Sequence, residues 1–247
     1  MKKLIFAVFV LIFGLGCQKK NTELLDQIAK LEQRVAALEK RLSAAPQAQP
    51  KVDEQTEAYD IPAGGSFVMG NPSAPLTLTV FSDYQCPFCD KAHESFVEKV
   101  VEDPELKNKV KVVFKHFPLS FHKNARSASK AALAAGEQGP DCFWAMTKVL
   151  YTNQRDLSDE NYKKWAKESV KCNQNGKVAA LNAEKFWNDF TKNDEKYEKI
   201  IKDDMDLGMS KANVRGTPSF FLNGWKVGQR SVDAVKALIK EKNLAGG

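Results

Sequence analysis

Hydrophobic and polar positions divide the chain into stretches of different period. Leu4 to Leu15 is an unbroken run of apolar or glycine residues behind the basic start Met1-Lys2-Lys3. A spanning helix needs roughly 20 such residues, so this run is too short for an anchor and predicts an export signal over 1–16. Over 21–44 the period becomes helical. Leu24, Ile28, Leu31, Val35, Leu38 and Leu42 alternate spacings of four and three, which puts Ile28, Val35 and Leu42 at heptad position a and the leucines 24, 31 and 38 at d. Glu32 and Glu39 fall at e, Arg34 and Arg41 at g, so Arg34 of one chain can face Glu39 of another. The pattern predicts a coiled-coil stalk joining two or three copies. The same spacing also suits a single amphipathic helix lying on the domain or on a membrane. Residues 45–65 carry Ala45-Pro46, Gln49-Pro50, Ile61-Pro62 and Gly64-Gly65 with few large apolar side chains, and read as a linker.

From 66 to 247 the pattern is that of a mixed domain. Leu76 to Phe81 is β-prone and ends at Ser82-Asp83. Phe88, Ala92, Phe96, Val97 and Val100 give Pro87 to about Val101 a helical face, and Val110 to Phe114 is a second strand. Asn124 to Ala135 is alanine-rich and helical. Asp141 to about Met209 is helical almost throughout, with breaks near Asn153, Asn173 to Gly176, and Asn193. Ser219 to Leu222, the turn Asn223-Gly224 and Trp225 to Val227 predict a hairpin. Val232, Val235, Leu238 and Ile239 mark a last helix capped by Ser231. Strand, helix, strand, helical block, hairpin and helix fit an α/β sheet covered by helices.

Composition adds exclusions. Apolar residues are 43% and charged residues 28% of 247, which excludes a disordered chain, a collagen and a polytopic membrane protein. The net charge of +6 is modest and the lysines are scattered among acids, so no nucleic-acid partner is expected. Loss of 1–16 would remove Lys2 and Lys3 and leave +4. Five cysteines are too few for a disulfide-scaffolded small protein. Small residues ending in Cys17 resemble the lipobox of bacterial lipoproteins, although Gly14 stands where that motif usually has Leu. The resemblance implies a lipid on Cys17 and attachment to a bilayer; an ordinary signal with an incidental Cys17 is the alternative. Gln18 after the cysteine favours the outer membrane by analogy. Both readings export the mature protein to where disulfides persist, and the lipid-anchored one places it in the cell envelope facing the periplasm.

Cys86-Pro87-Phe88-Cys89 sits where the first long strand gives way to the first long helix. Unpaired N–H groups and the helix dipole at that end stabilise a thiolate. Pro87 suits the first turn, having no N–H to leave unpaired. Cys86 is expected as the exposed nucleophile and Cys89 as the more buried resolving thiol, exchanging disulfides through a mixed disulfide. A zinc site would need a second ligand pair, and none of the three histidines supplies one, so no metal and no cofactor are expected.

Three segments together resemble the DsbA-like thioredoxin-fold disulfide oxidoreductases: Asp83 to Cys89, Lys115 to His122, and Val214 to Gly224. The resemblance implies a thioredoxin fold over about 66–247, split by a helical insertion at about 124–209 and preceded by the N-terminal coiled-coil helix. It implies Cys86 as nucleophile with Cys89 as partner. Thr217-Pro218 becomes the cis-proline loop facing the active pair, where backbone binds an extended substrate. Two positions depart from relatives. Val80 stands where they often carry a buried acid, so a proton for Cys89 must come from water or another group; Asp83, the nearest acid, is expected to shape the strand end. Phe88 replaces the His of strongly oxidising members, which predicts a less oxidising couple.

Four thiols remain if Cys17 is lipidated, and they allow three pairings. Cys86–Cys89 with Cys142–Cys172 is the expected one, the second bridge being structural; a second redox pair is the alternative. His93 is expected at the surface. His116 and His122 flank Phe117-Pro118 and are expected in packing or loop hydrogen bonds. The expected function is exchange of disulfides with cysteine-containing exported proteins, served by a membrane redox partner. Thr217 before the proline and several domains on one stalk favour isomerase or reductase over oxidase. The alternatives are a non-catalytic lipoprotein binding copper or another soft metal through Cys86 and Cys89, and an envelope spacer in which the stalk is the working part.

Overall fold

The computed structural model describes residues 24–37, 55–174 and 176–244. The expected signal over 1–16, Cys17, Leu38, Leu42 and linker residues 45–54 lie outside them. Two compact units divide at Met1–Glu54 and Gln55–Gly247. In the first, 24–37 is an α-helix (α1), and Leu24, Leu25, Ile28, Leu31 and Val35 are exposed along it. Among the described residues no helix is long and apolar enough to cross a membrane.

The second unit is built on a five-stranded sheet of order β1-β3-β2-β6-β7. These strands are β1 (Val68–Met69), β2 (Leu76–Ser82), β3 (Val110–His116), β6 (Ser219–Leu222) and β7 (Trp225–Lys226). β2 and β3 are parallel, while β6 runs antiparallel to β2, with Phe81 opposite Ser219. Period-two alternation gives β2 two buried faces. Leu76, Leu78 and Val80 enter the main core with Val110, Val112, Phe114, Phe96 and Val100. Phe81 points the other way, into a smaller cluster with Phe117, Phe221, Ala212 and Val214. The β2–β3 crossover is helical from Pro87 to Glu102: α2 (Pro87–Ala92), one wide π turn (His93–Val97) and α3 (Glu98–Glu102).

The insertion between β3 and β6 comprises α4 (Ala125–Gly136), α5 (Pro140–Thr152), α6 (Asp159–Glu168), α7 (Ala183–Lys192) and α8 (Asp194–Ser210). Ala128, Ala131, Ala132 and Ala135 are fully buried on α4, where short side chains let neighbouring helices approach. α9 (Val232–Glu241) closes the chain, with Ser231 Oγ accepting from the Ala234 N–H.

Three features differ from the sequence expectation. The break near 173–176 is a hairpin, β4 (Lys171–Gln174) and β5 (Lys177–Ala180), with Gln174 opposite Lys177. Two strands of four residues are too short to show a period; Cys172 holds the hairpin to α5 through the Cys142–Cys172 disulfide. Closing a loop of 30 residues restricts the unfolded chain by about 3–4 kcal/mol on the entropy model. Second, the linker stops short of 65, because residues 55–65 pack on the domain. The Tyr59 N–H donates to Gly224 O at 3.1 Å, and Gln55 pairs with Gly224 O and the Lys226 N–H. Gly224 permits this: a Cβ there would meet Tyr59 O at 2.1 Å. Tyr59 and Ile61 also pack on the Phe81 cluster. Third, Lys115 of β3 and Asp204 of α8 form a buried ion pair at 3.0 Å. Lys115 Nζ also donates to Ala63 O, and Asp204 accepts the His116 N–H at 2.9 Å.

Candidate active site

The end of β2 is shaped by one carboxylate. Asp83, fully buried, accepts from the Gln85 N–H at 2.7 Å, the Leu119 N–H at 2.7 Å and His122 Nδ1 at 2.8 Å. It thereby fixes the turn entering the cysteine pair and ties the 117–122 loop to it. The Gln85 side chain accepts the Asn124 N–H across the same gap. From the other side Gln154 Nε2 donates to Tyr84 O and Cys86 O at 2.8 and 2.9 Å. Nothing in the local sequence marks Gln154, which arrives from the loop after α5.

Cys86 is the N-cap of α2 with extended backbone, Pro87 occupies the first helical position, and the Cys89 N–H bonds back to Cys86 O at 3.0 Å. Both cysteines are free thiols in this structure. The Thr217-Pro218 bond is cis, and Cys86 Sγ donates to Thr217 O at 3.4 Å. The Phe81–Ser219 register brings the two segments together. Cys86 is more covered than the sequence suggests, at 4% exposure against 1% for Cys89. The 217–218 loop roofs it, a long-range contact no local pattern contains. Phe88 beside the pair is exposed.

The two sulfurs titrate in opposite directions. Cys86 is lowered to about 6, chiefly by the hydrogen bond from the Cys89 thiol. Burial opposes this, while the Thr217 side-chain hydroxyl and the N–H groups of Cys89 and Phe88 add to it. Cys89 is raised, first by burial and then by its bond to the Cys86 sulfur, with the Ser82 hydroxyl and Asp83 backbone acting the other way. Alkylation of the reduced protein should therefore follow the Cys86 thiolate. Its rate is expected to be level above a pH of about 6 and to fall about tenfold per unit below it. A rate still rising towards the range of a free thiol would contradict this assignment. The same depression stabilises the reduced fold above the ordinary thiol pKa, and that gain is lost as pH falls through about 6.

The histidines divide differently from expectation. His93 is buried, not at the surface: the wide turn of the crossover helix carries it under α5, where it lies against Trp144 and Tyr151. Burial lowers it to about 4, helped by Lys148, so it is neutral at pH 7. His116 is buried among Phe114, Phe143 and Tyr84 and is lowered to about 3 by burial, with Lys115 adding to it. Its Nδ1 has no partner among the described residues. His122 bonds Asp83, as a loop residue should. Among the described residues no cluster of three or more His, Cys, Asp or Glu could hold a metal ion.

A family model described as thioredoxin matches residues 63–241. The chain is 28% identical over 184 residues to disulfide bond formation protein D of Bacillus subtilis, covering 74% of this chain and 78% of that protein. It is 31% identical over 158 residues to Na(+)/H(+) antiporter NhaA 1 of Mycolicibacterium gilvum, covering 64% of this chain and 23% of that one. The chain thus spans about a quarter of the length of the antiporters it matches. Oxidised BdbD from Bacillus subtilis superposes with a TM-score of 0.62 at 26% identity, covering 76% of this chain and 98% of that structure.

Proposed function

The chain belongs to the thioredoxin family over residues 63–241, and from that membership we propose that it is an extracytoplasmic thiol–disulfide oxidoreductase of the DsbA type, exchanging disulfides with cysteine-containing proteins through Cys86 and Cys89. One observation carries the reading: a thiol lowered to about 6 at a helix start, beside a second thiol and under a cis-proline loop. The similarity to disulfide bond formation protein D and to BdbD supports it.

Mechanistically, the Cys86 thiolate attacks a substrate disulfide and forms a mixed disulfide, which Cys89 resolves. In the opposite direction a substrate thiolate opens the Cys86–Cys89 bond. Thr217 O is already within reach of Cys86 Sγ, so an extended substrate would pair with backbone there. A pKa of about 6 lies between the roughly 7 of thioredoxin and 3.5 of a strong oxidase, which favours a less oxidising couple. We extend the proposal to the isomerase or reductase direction, with a membrane redox partner. Cys17 would carry the lipid at the periplasmic face of an envelope membrane, the outer one favoured by Gln18, and residues 21–44 would join two or three copies. The exposed apolar positions on 24–37 favour that last step, because such a stripe is left uncovered in one chain.

Refolding of a scrambled-disulfide protein by the full chain and by a deletion of 21–44 tests the reading. The deletion should become monomeric, keep its insulin-disulfide reduction and lose most of its isomerisation. A full chain of monomeric mass that oxidises dithiols but does not unscramble would overturn the isomerase direction and the stalk together.

A further inference from the structure

Position 80, where the resembled family often carries a buried acid, holds Val80, and the Asp83 carboxylate is already committed to three donors. Two buried hydroxyls lie at the end of the same strand. Ser82, the last residue of β2, places its hydroxyl close enough to the Cys89 sulfur to pull its pKa down against burial. Its Oγ lies 2.6 Å from the hydroxyl of Tyr151 on α5, both residues being buried, and either oxygen can be the donor. The Tyr151 ring packs between Tyr84 and His93, 5.1 and 5.2 Å away. Beyond it Tyr151 lines a cavity of about 370 Å³ whose residues Glu94, Lys148 and Thr152 are exposed. Ser82 and Tyr151 thus stand between the buried sulfur and a cavity open to solvent.

We propose that Ser82 and Tyr151 form a hydroxyl relay that takes the proton from Cys89 when it resolves a mixed disulfide and returns it when Cys89 leaves. The inference rests on the oxidoreductase reading above. On resolution the Cys89 S–H bond breaks and its electron pair forms the bond to Cys86 sulfur. The Cys86–substrate bond breaks, and the substrate sulfur leaves as thiolate with the electron pair of the bond that broke. The proton passes to Ser82 Oγ, the Ser82 proton to the Tyr151 oxygen, and the Tyr151 proton to water in the cavity. No net electrons are consumed beyond the disulfide exchanged. In the reverse direction every transfer runs backwards.

The relay matters because Cys89 is held protonated by burial. Neither hydroxyl acts as the base. Burial raises Tyr151 well above a free phenol, so it conducts a proton without ionising. Each hydroxyl can both donate and accept, and their 2.6 Å contact supplies what a two-way relay requires. The groups facing the path are Tyr84, Asp83 and His116 on the sheet side and, around the cavity, Asp90, His93, Glu94, Glu98 and Lys148. His93 and His116 stay neutral at pH 7 and contribute no charge there.

Stopped-flow reaction of the reduced protein with Ellman's reagent separates the two steps. The first release of thionitrobenzoate reads attack by Cys86, and the second reads resolution by Cys89. Ser82→Ala and Tyr151→Phe should keep the first phase, slow the second by about 10- to 100-fold and move its pH profile upward. Ser82→Thr, which keeps the hydroxyl, should restore the second phase. Tyr151→Phe retains the ring, so its fold is not at issue. An unchanged second phase in both variants, or one slowed with an unaltered pH profile, overturns the relay and leaves the oxidoreductase reading standing. A wild-type first phase no faster than a free thiol overturns the oxidoreductase reading itself.

Discussion

Cys86→Ala is expected to reduce disulfide exchange to the uncatalysed background in both insulin reduction and refolding of a scrambled protein. The physical reason is that only this sulfur is ionised near neutral pH. Cys89 is neutral and more deeply buried, so it cannot attack an incoming chain in its place. The partner variant separates the steps: Cys89→Ala should still attack, then stall as a mixed disulfide visible by mass. Burial of Cys86 to 4% does not prevent attack, because a substrate strand laid along Thr217 O replaces the contact that Cys86 Sγ now makes. Full turnover in Cys86→Ala would end the mechanism.

The second large effect concerns stability. Lys115→Met should destabilise the fold by about 3–5 kcal/mol, because it leaves the Asp204 carboxylate buried without its cation. Burial already raises Asp204, with Lys115 and the His116 N–H opposing that rise. A carboxyl whose folded pKa lies above its unfolded value contributes most at low pH and loses that contribution as pH rises through the folded pKa. The penalty in Lys115→Met should accordingly shrink as pH falls. Urea unfolding at several pH values measures it. Lys115→Met with Asp204→Leu should recover part of the loss, the rest being the unsatisfied His116 N–H. Equal stability of Lys115→Met and the native chain at pH 7 would contradict this account.

Much of the domain is legible locally. β2 and β3 are rich in β-branched and aromatic residues and are buried on both faces, and they begin where the sequence puts them. The Ser231 cap and the Asn223-Gly224 turn are read from side-chain chemistry that acts within a few residues. The cysteine pair is legible for the same reason: its spacing and the helix start are local. The β4–β5 hairpin escapes because its strands are only four residues long and a distant disulfide holds it. His93 escapes because α5, fifty residues on, decides what covers it. Ser82, Tyr151 and Gln154 carry no motif, and their roles exist only once α5 and the loop after it lie against the end of β2.

Alone, the amino-acid order determined which sulfur would be ionised, since the Cys89 thiol and the N–H groups of Phe88 and Cys89 all lie within one turn of Cys86 and travel with the sequence. Tertiary packing decided how open that sulfur is, which partner proton it meets, and where the proton of its neighbour can go. Those depend on burial and on contacts between segments far apart in the chain, and desolvation is a property of the finished interior rather than of any stretch of residues.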